Sequence, residues 1–112
     1  MTLREKQSFF VVLVGLLIQH ASTLGYELTF GEAYRSPEEA ARLAKAGKGI
    51  AGSLHTSRLA VDLNLFKDGR YLSSTESHRQ LGEWWEKQHP LCSWGGHFND
   101  GNHYALEHEG KR

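Results

Sequence analysis

The stretch that most restricts how this chain can fold is Leu59 to Phe66, Leu-Ala-Val-Asp-Leu-Asn-Leu-Phe, an alternating strand with an acid at its centre. Its period of two puts Ala60, Asp62 and Asn64 on one face and Val61, Leu63 and Leu65 on the other. The second face must be buried, so Asp62 faces the opposite side of a core strand, where a carboxylate needs a partner. Ser53-Leu54-His55 lies just upstream, delivered by a loop containing Gly47, Gly49 and Gly52. Asp100-Gly101-Asn102-His103-Tyr104 opens a second alternating run, His103 to His108, in which His103, Ala105 and Glu107 share a face. His55, Asp62 and His103 make a His, carboxylate, His set. Three such ligands with one open position are how catalytic zinc is held, whereas structural zinc is closed by four ligands, mostly Cys. Taken alone, His55 and Asp62 also fit a simple histidine–carboxylate hydrogen bond. Mn, Fe, Co or Ni also fit these ligand types. Asp100, three residues before His103, is spare of ligand duty and suits a general base, although Asp-Gly is also a common turn pair.

The other elements follow from local signals. Residues 4–24 read as an amphipathic helix: Arg4, Ser8, Gly15, Gln19 and Ser22 form a polar or small stripe opposite Phe10, Leu13, Leu17 and Leu24. The apolar run Phe9 to Ile18 also resembles the core of a signal peptide, is too short to span a membrane, and is read here as part of the folded helix. Tyr26 to Tyr34 contains Tyr-Glu-Leu-Thr-Phe, an alternating run that reads as a strand, and leads into Arg35. Ser36-Pro37-Glu38-Glu39 predicts a capped helix with a capping box, ending near Ala46. Lys67-Asp68-Gly69-Arg70 is a hairpin turn into a short strand at Tyr71-Leu72, and a helix is expected from about Glu76 to Gln88, capped by Ser74 or Thr75. Leu91 to Gly101 reads as irregular. The small side chains of Ala60 and Ala105, each two residues from a proposed ligand, leave room for a metal and a substrate.

Composition narrows the function classes. The 112 residues suit one domain, 1–112. Lys+Arg and Asp+Glu are both 13, so neither a basic nucleic-acid patch nor an acidic tail is indicated. A single cysteine, Cys92, excludes an internal disulfide and any multi-Cys zinc site.

The paired motifs, Ser-x-His-(six residues)-Asp followed by Asp-x-x-His, resemble the zinc peptidases of the D-Ala-D-Ala carboxypeptidase type, the VanY and VanX relatives, and especially their phage-endolysin branch, the L-alanyl-D-glutamate endopeptidases. The likeness runs through Gly31-Glu32-Ala33-Tyr34-Arg35-Ser36, Ser53 to Phe66 and Trp94 to Leu106. One departure is Arg58, where many relatives have Gly. The resemblance implies an α+β domain, a small mainly antiparallel sheet with packed helices, of the hedgehog/DD-peptidase-like zinc fold. It implies Zn2+ on His55, Asp62 and His103, with Asp100 as the base. Arg35 is implied to bind a substrate carboxylate or stabilise the oxyanion; Ser53 either touches substrate or shapes its loop. The expected reaction is hydrolysis of an amide bond in the peptidoglycan stem peptide, most simply L-Ala–D-Glu. That places the protein among monomeric phage endolysins held in the host cytoplasm until release to the wall, with no nucleic-acid partner and no stable membrane insertion.

Three alternatives stand beside this expectation: a D-Ala-D-Ala carboxypeptidase, a non-catalytic zinc- or wall-binding module on the same fold, and a membrane-anchored sensor using Phe9 to Ile18. His97 is expected to face solvent, Glu107 to be an outer or surface acid, and Trp84, Trp85 and Trp94 to build core or cleft wall.

Overall fold

The computed structural model describes residues 1–50 and 52–112; the predicted Gly47–Gly52 loop therefore has Ala51 outside the described residues. Among those described, the order is helix α1 (Leu3–Thr23), strand β1 (Glu27–Phe30), helix α2 (Pro37–Lys45), strands β2 (Ala60–Lys67) and β3 (Arg70–Leu72), helix α3 (Thr75–Glu86), then strands β4 (Cys92–Trp94) and β5 (His103–Leu106). Two 3₁₀ turns, Leu54–Ser57 and Gly95–Phe98, complete it. This is the expected α+β class, with every strand pairing antiparallel.

α1 begins one residue earlier than predicted because Thr2 and Glu5 form a complete capping box: the Glu5 N–H donates to Thr2 Oγ1 (3.1 Å) and the Thr2 N–H to Glu5 Oε1 (2.9 Å). Its buried stripe is Phe10, Leu13, Val14, Leu17 and Ala21. No helix among the described residues is long and apolar enough to cross a membrane. At α2 the expected box is only half made. Ser36 Oγ accepts from the Glu39 N–H (3.0 Å), but the Glu39 carboxylate turns to Arg42 instead of the cap backbone. The β2–β3 hairpin turns on Asp68 and Gly69, both left-handed at φ 52° and 76°, as a two-residue turn of this twist requires.

The five-stranded sheet runs β1-β2-β5-β4, with β3 also on β2. β2 is its spine: its first half pairs with β5 and its second half with β1 and β3. Val61, Leu63 and Leu65 are buried, as the alternation predicted, in a core shared with the α1 stripe, Leu81 and Trp85 of α3, Tyr104 and Leu106. Each fully buried aliphatic side chain of this kind contributes about 1.5–3 kcal/mol. Phe10 meets Trp85 edge-on at 5.9 Å, and the Trp85 indole N–H donates to the Ala105 carbonyl at 3.1 Å, tying α1 and α3 to β5.

The structure corrects the reading of Leu91–Gly101 as irregular. Cys92–Trp94 is a strand whose three residues are all buried, so it shows no alternation, and Gly95–Phe98 is a 3₁₀ turn. Trp94 lies flat against α3 at Gly82, where any β-carbon would overlap its indole ring. α3 and β5 also end two residues short of their predicted limits. Beyond β5, His108 and Lys111 bridge across a turn made by Glu109 and Gly110, both at positive φ.

Candidate metal centre

β2 and β5 bring two of the predicted ligands together by register, since Asp62 stands directly opposite His103. The strand pairing around Asp62 is continuous on its other side as well. The Gly31 N–H donates to the Asp62 carbonyl, and the Asp62 N–H to the Glu32 carbonyl, each at 2.8 Å. His55 comes from the 3₁₀ turn Leu54–Ser57. Ser53 caps that turn, its hydroxyl accepting the His55 N–H at 3.2 Å. The next residue after the turn, Arg58, is left-handed (φ 55°, ψ 36°) and lies 4.0 Å over the Tyr34 ring. Arg58 thus adopts the conformation a glycine would supply, and the cation–π contact offsets part of its steric cost.

The donor atoms converge. His55 Nε2 lies 3.3 Å from Asp62 Oδ1, and His103 Nδ1 lies 3.4 Å from the same oxygen. One donor atom from each of the three residues falls within 4.8 Å of the others. With metal–ligand bonds of about 2.0–2.1 Å, two ligands of a tetrahedral zinc stand about 3.3–3.4 Å apart, the spacing found here. The polar inventory agrees. Asp62 Oδ1 is buried with no hydrogen-bond partner among the described residues, and a cation satisfies a carboxylate oxygen placed between two imidazoles. His55 Nδ1 lies 3.0 Å from the Ala33 carbonyl, which can only accept, so the proton sits on Nδ1 and the Nε2 lone pair is turned toward the site. The residues therefore fit a zinc ion. His103 presents Nδ1, and its Nε2 is buried without a partner among the described residues.

Electrostatics of the protein chain alone follow from these contacts. Burial raises the Asp62 pKa, but the two imidazoles more than reverse it and leave it at about 2. Burial lowers that of His55; the Asp62 carboxylate, the Ala33 carbonyl and Glu32 together outweigh it and the net shift is upward. For Asp100 burial dominates and raises the pKa; the nearby Asp62 charge adds to this while His103, His55 and Arg35 oppose it. A carboxyl moved up toward neutrality is better matched to accepting a proton at working pH.

Asp100 Oδ2 is 3.9 Å from His103 Nδ1, and its side chain is 50% exposed. The turn that carries it is tightly held. The Asp100 N–H donates to the Gly95 carbonyl (2.9 Å), the Trp94 indole to the Gly101 carbonyl (2.7 Å), and the Gly101 N–H to Thr75 Oγ1 (3.2 Å). Gly95 is required by this approach: a β-carbon there would fall 2.8 Å from His103 Cβ and closer still to the Asp100 carbonyl oxygen. The three candidate ligands and Asp100 open into a cleft of about 510 Å³ that is also lined by Arg35, Ser53, Lys48, Phe98 and Arg112.

All six residues nominated from the sequence, His55, Asp62, His103, Asp100, Arg35 and Ser53, border this one cleft. Arg35 is not free in it. Its Nε donates to Glu32 Oε1 at 2.8 Å and its Nη2 to the same oxygen, so Nη1 is the nitrogen left for a ligand. Glu32 is the residue that sequence reasoning missed. It holds Arg35, and its Oε1 lies 3.9 Å from His55 Nδ1. The pair with Arg35 is local, three residues apart, whereas the approach of His55 comes from a distant turn that no local pattern marks. His97 is half exposed and bound to Glu86 at 2.8 Å, and Glu107 pairs with Arg112 at 3.0 Å, so neither joins the ligand set.

Neither a family model nor a curated protein matches the chain in sequence. Its fold is that of a peptidase structure. The chain is similar to the crystal structure of the Serratia marcescens L-Ala D-Glu endopeptidase ChiX, with a TM-score of 0.75 and 19% identity, over 89% of this chain and 79% of that one.

Proposed function

We propose that residues 1–112 form one zinc peptidase domain that hydrolyses an amide bond of peptidoglycan stem peptides, most simply L-Ala–D-Glu. The observation that carries this reading is the convergence of His55 Nε2 and His103 Nδ1 on Asp62 Oδ1 at 3.3 and 3.4 Å, with Asp100 on the rim of the same cleft. The likeness in fold to an L-Ala D-Glu endopeptidase supports the choice of substrate class.

His55, Asp62 and His103 would hold the ion. Zinc in such a site supplies Lewis-acid polarisation of the scissile carbonyl and brings the pKa of water down toward about 7. The chain's own groups do the rest. The Asp100 carboxylate accepts a proton from the attacking water as its oxygen bonds to the carbonyl carbon. Asp100 then returns that proton to the amide nitrogen as the C–N bond breaks, and the remaining water proton passes from the new carboxyl group to the amine, leaving a carboxylate and an ammonium. Arg35, steadied by Glu32, directs Nη1 toward a substrate carboxylate or the developing oxyanion. Ser53 keeps His55 in place through its cap, with contact to substrate as a further role. We place the protein with phage endolysins acting as monomers on the host wall after release from the cytoplasm.

Digestion of purified peptidoglycan by the zinc-loaded protein, followed by mass spectrometry, tests the reading. New N-terminal D-Glu on released peptides, with L-Ala left on the glycan, is expected. Free D-Ala as the main product would make it a carboxypeptidase, and no product at all would favour a binding module.

A further inference from the structure

Three basic side chains line the cleft beyond its ligand set, in a chain whose formal net charge is zero. Arg35, Lys48 and Arg112 line it, against the carboxylates of Asp62 and Asp100. Asp62 is committed to the ion, Glu32 pairs with Arg35 and Glu107 with Arg112, which leaves Lys48 as the lining cation without a carboxylate partner among the described residues. Arg35 alone does not account for the recognition of an anionic substrate, because Glu32 takes its Nε and Nη2.

The wall that carries Arg112 is built rather than frayed. Glu109 and Gly110, at φ 49° and 76°, turn the chain so that His108 and Lys111 exchange two backbone hydrogen bonds, at 3.1 and 2.9 Å. His108 Nδ1 is tied to Lys6 of α1 at 3.1 Å. A non-glycine residue held at positive φ, as Glu109 is, needs its surroundings to fix it. The turn carries Lys111 up to Gly52 and sets Arg112 in the cleft wall. Glu107 binds Arg112 only through Nε, so both terminal nitrogens of its guanidinium remain for a ligand. Lys48, across the loop after α2, has no carboxylate within ion-pair distance among the described residues.

We propose that Arg112 and Lys48 form a second carboxylate-binding subsite, distinct from Arg35. The cleft then takes a peptide with two carboxylates, one beside the scissile amide and one on the following residue. This rests on the peptidase reading and adds a specificity element to it: a substrate amidated at the second position forgoes that wall.

The test uses binding, so it does not depend on turnover. The isotopically labelled, zinc-loaded parent is titrated by NMR with an amine-side product peptide, D-Glu linked through its side chain to a residue bearing a free carboxylate, and with the same peptide amidated there. The acid should bind about five- to tenfold more tightly, with shifts at Lys48 and Arg112. The exposed double variant Lys48→Gln/Arg112→Gln should bind both peptides alike, at the affinity of the amide. Equal binding of the two peptides by the parent, or an undiminished preference in the variant, would overturn the subsite. Turnover of the matching uncleaved peptides by the parent reports separately on the peptidase reading, since an inactive protein that still prefers the acid keeps the subsite and loses the reaction.

Discussion

His78 gives a prediction whose size comes directly from the structure. It sits on α3 at 2% exposure and shares a 2.9 Å hydrogen bond with the Tyr104 hydroxyl, next to the proposed ligand His103 on β5. Burial pushes its pKa from 6.5 down to about 4. A base whose pKa is lower folded than unfolded carries fewer protons in the native state between those values. Its contribution is therefore complete above about pH 6.5 and is lost as pH falls toward about 4. At 1.36 kcal/mol per pKa unit the loss amounts to about 3 kcal/mol. The assay is urea unfolding followed by tryptophan fluorescence, in chelator, between pH 7 and 4, for the parent and for His78→Gln. Taking the difference between the two removes the other titrating groups. His55 in particular runs the other way without metal: its raised pKa stabilises the fold at acid pH, an effect lost as pH rises past 6.5 and through the folded value. The variant should be less stable at pH 7, because Tyr104 loses its partner, and the gap should close by about 3 kcal/mol on acidification. Parallel pH profiles, or an NMR titration of His78 centred near 6.5, would refute the reasoning.

Three further outcomes are expected. Elemental analysis should find one zinc per chain, and His103→Ala should weaken binding in a chelator competition by more than the ~10–100-fold typical of outer partners; parental affinity would remove His103 from the ligand set. Asp100→Asn should keep zinc and fold while losing roughly 10²–10⁴-fold in turnover on peptidoglycan, and near-parental rates would end its role as base. Zinc affinity, measured against a chelator, should begin to fall with acidity at a pH above 6.5, because the pKa of His55 is raised and protons compete early for Nε2; affinity that stays level down to well below 6.5 would contradict that placement.

What was legible in the sequence was whatever a short window encodes. The alternation around Asp62 located both its strand and its buried face, and Ser36-Pro37 and Gly47 marked the ends of α2. The Asp68-Gly69 turn was read from two residues. What escaped depends on residues distant in the chain. Nothing in the run 103–106 says that it pairs with 60–62 in the register that sets His103 opposite Asp62. β4 was missed because a three-residue strand buried on both faces has no period to detect, and the glycines after it look like loop. Those glycines serve contact: Gly95 admits the Asp100 turn against His103, and Gly96 lies against the Trp94 ring. Glu32 pairs with Arg35 only three residues on, but its place beside His55 depends on a turn distant in the chain. Arg58, a departure from the glycine that the resembling sequences carry, is a left-handed residue stacked on Tyr34.

The way each group is mounted matches the work assigned to it. Asp62 and His103 sit on paired strands with the core behind them, and His55 is fixed at three atoms: its N–H by Ser53, its Nδ1 by Ala33 and its carbonyl by the Arg35 N–H at 3.2 Å. Small displacements of such groups would spoil a tetrahedral site, so rigid mounting favours ion binding. Asp100 has its backbone clamped by Gly95 and its neighbour Gly101 by Trp94 and Thr75, yet its carboxylate makes no hydrogen bond among the described residues and is half exposed. A proton carrier needs that combination. Its side chain must swing between the water and the departing nitrogen, while its main chain must not move relative to the ion. Arg35 is the intermediate case, with Glu32 holding two of its nitrogens and Nη1 left to adapt to a ligand. On this argument loosening the Asp100 turn, as Gly95→Ala would, costs catalysis and zinc affinity together, whereas Asp100→Asn separates them.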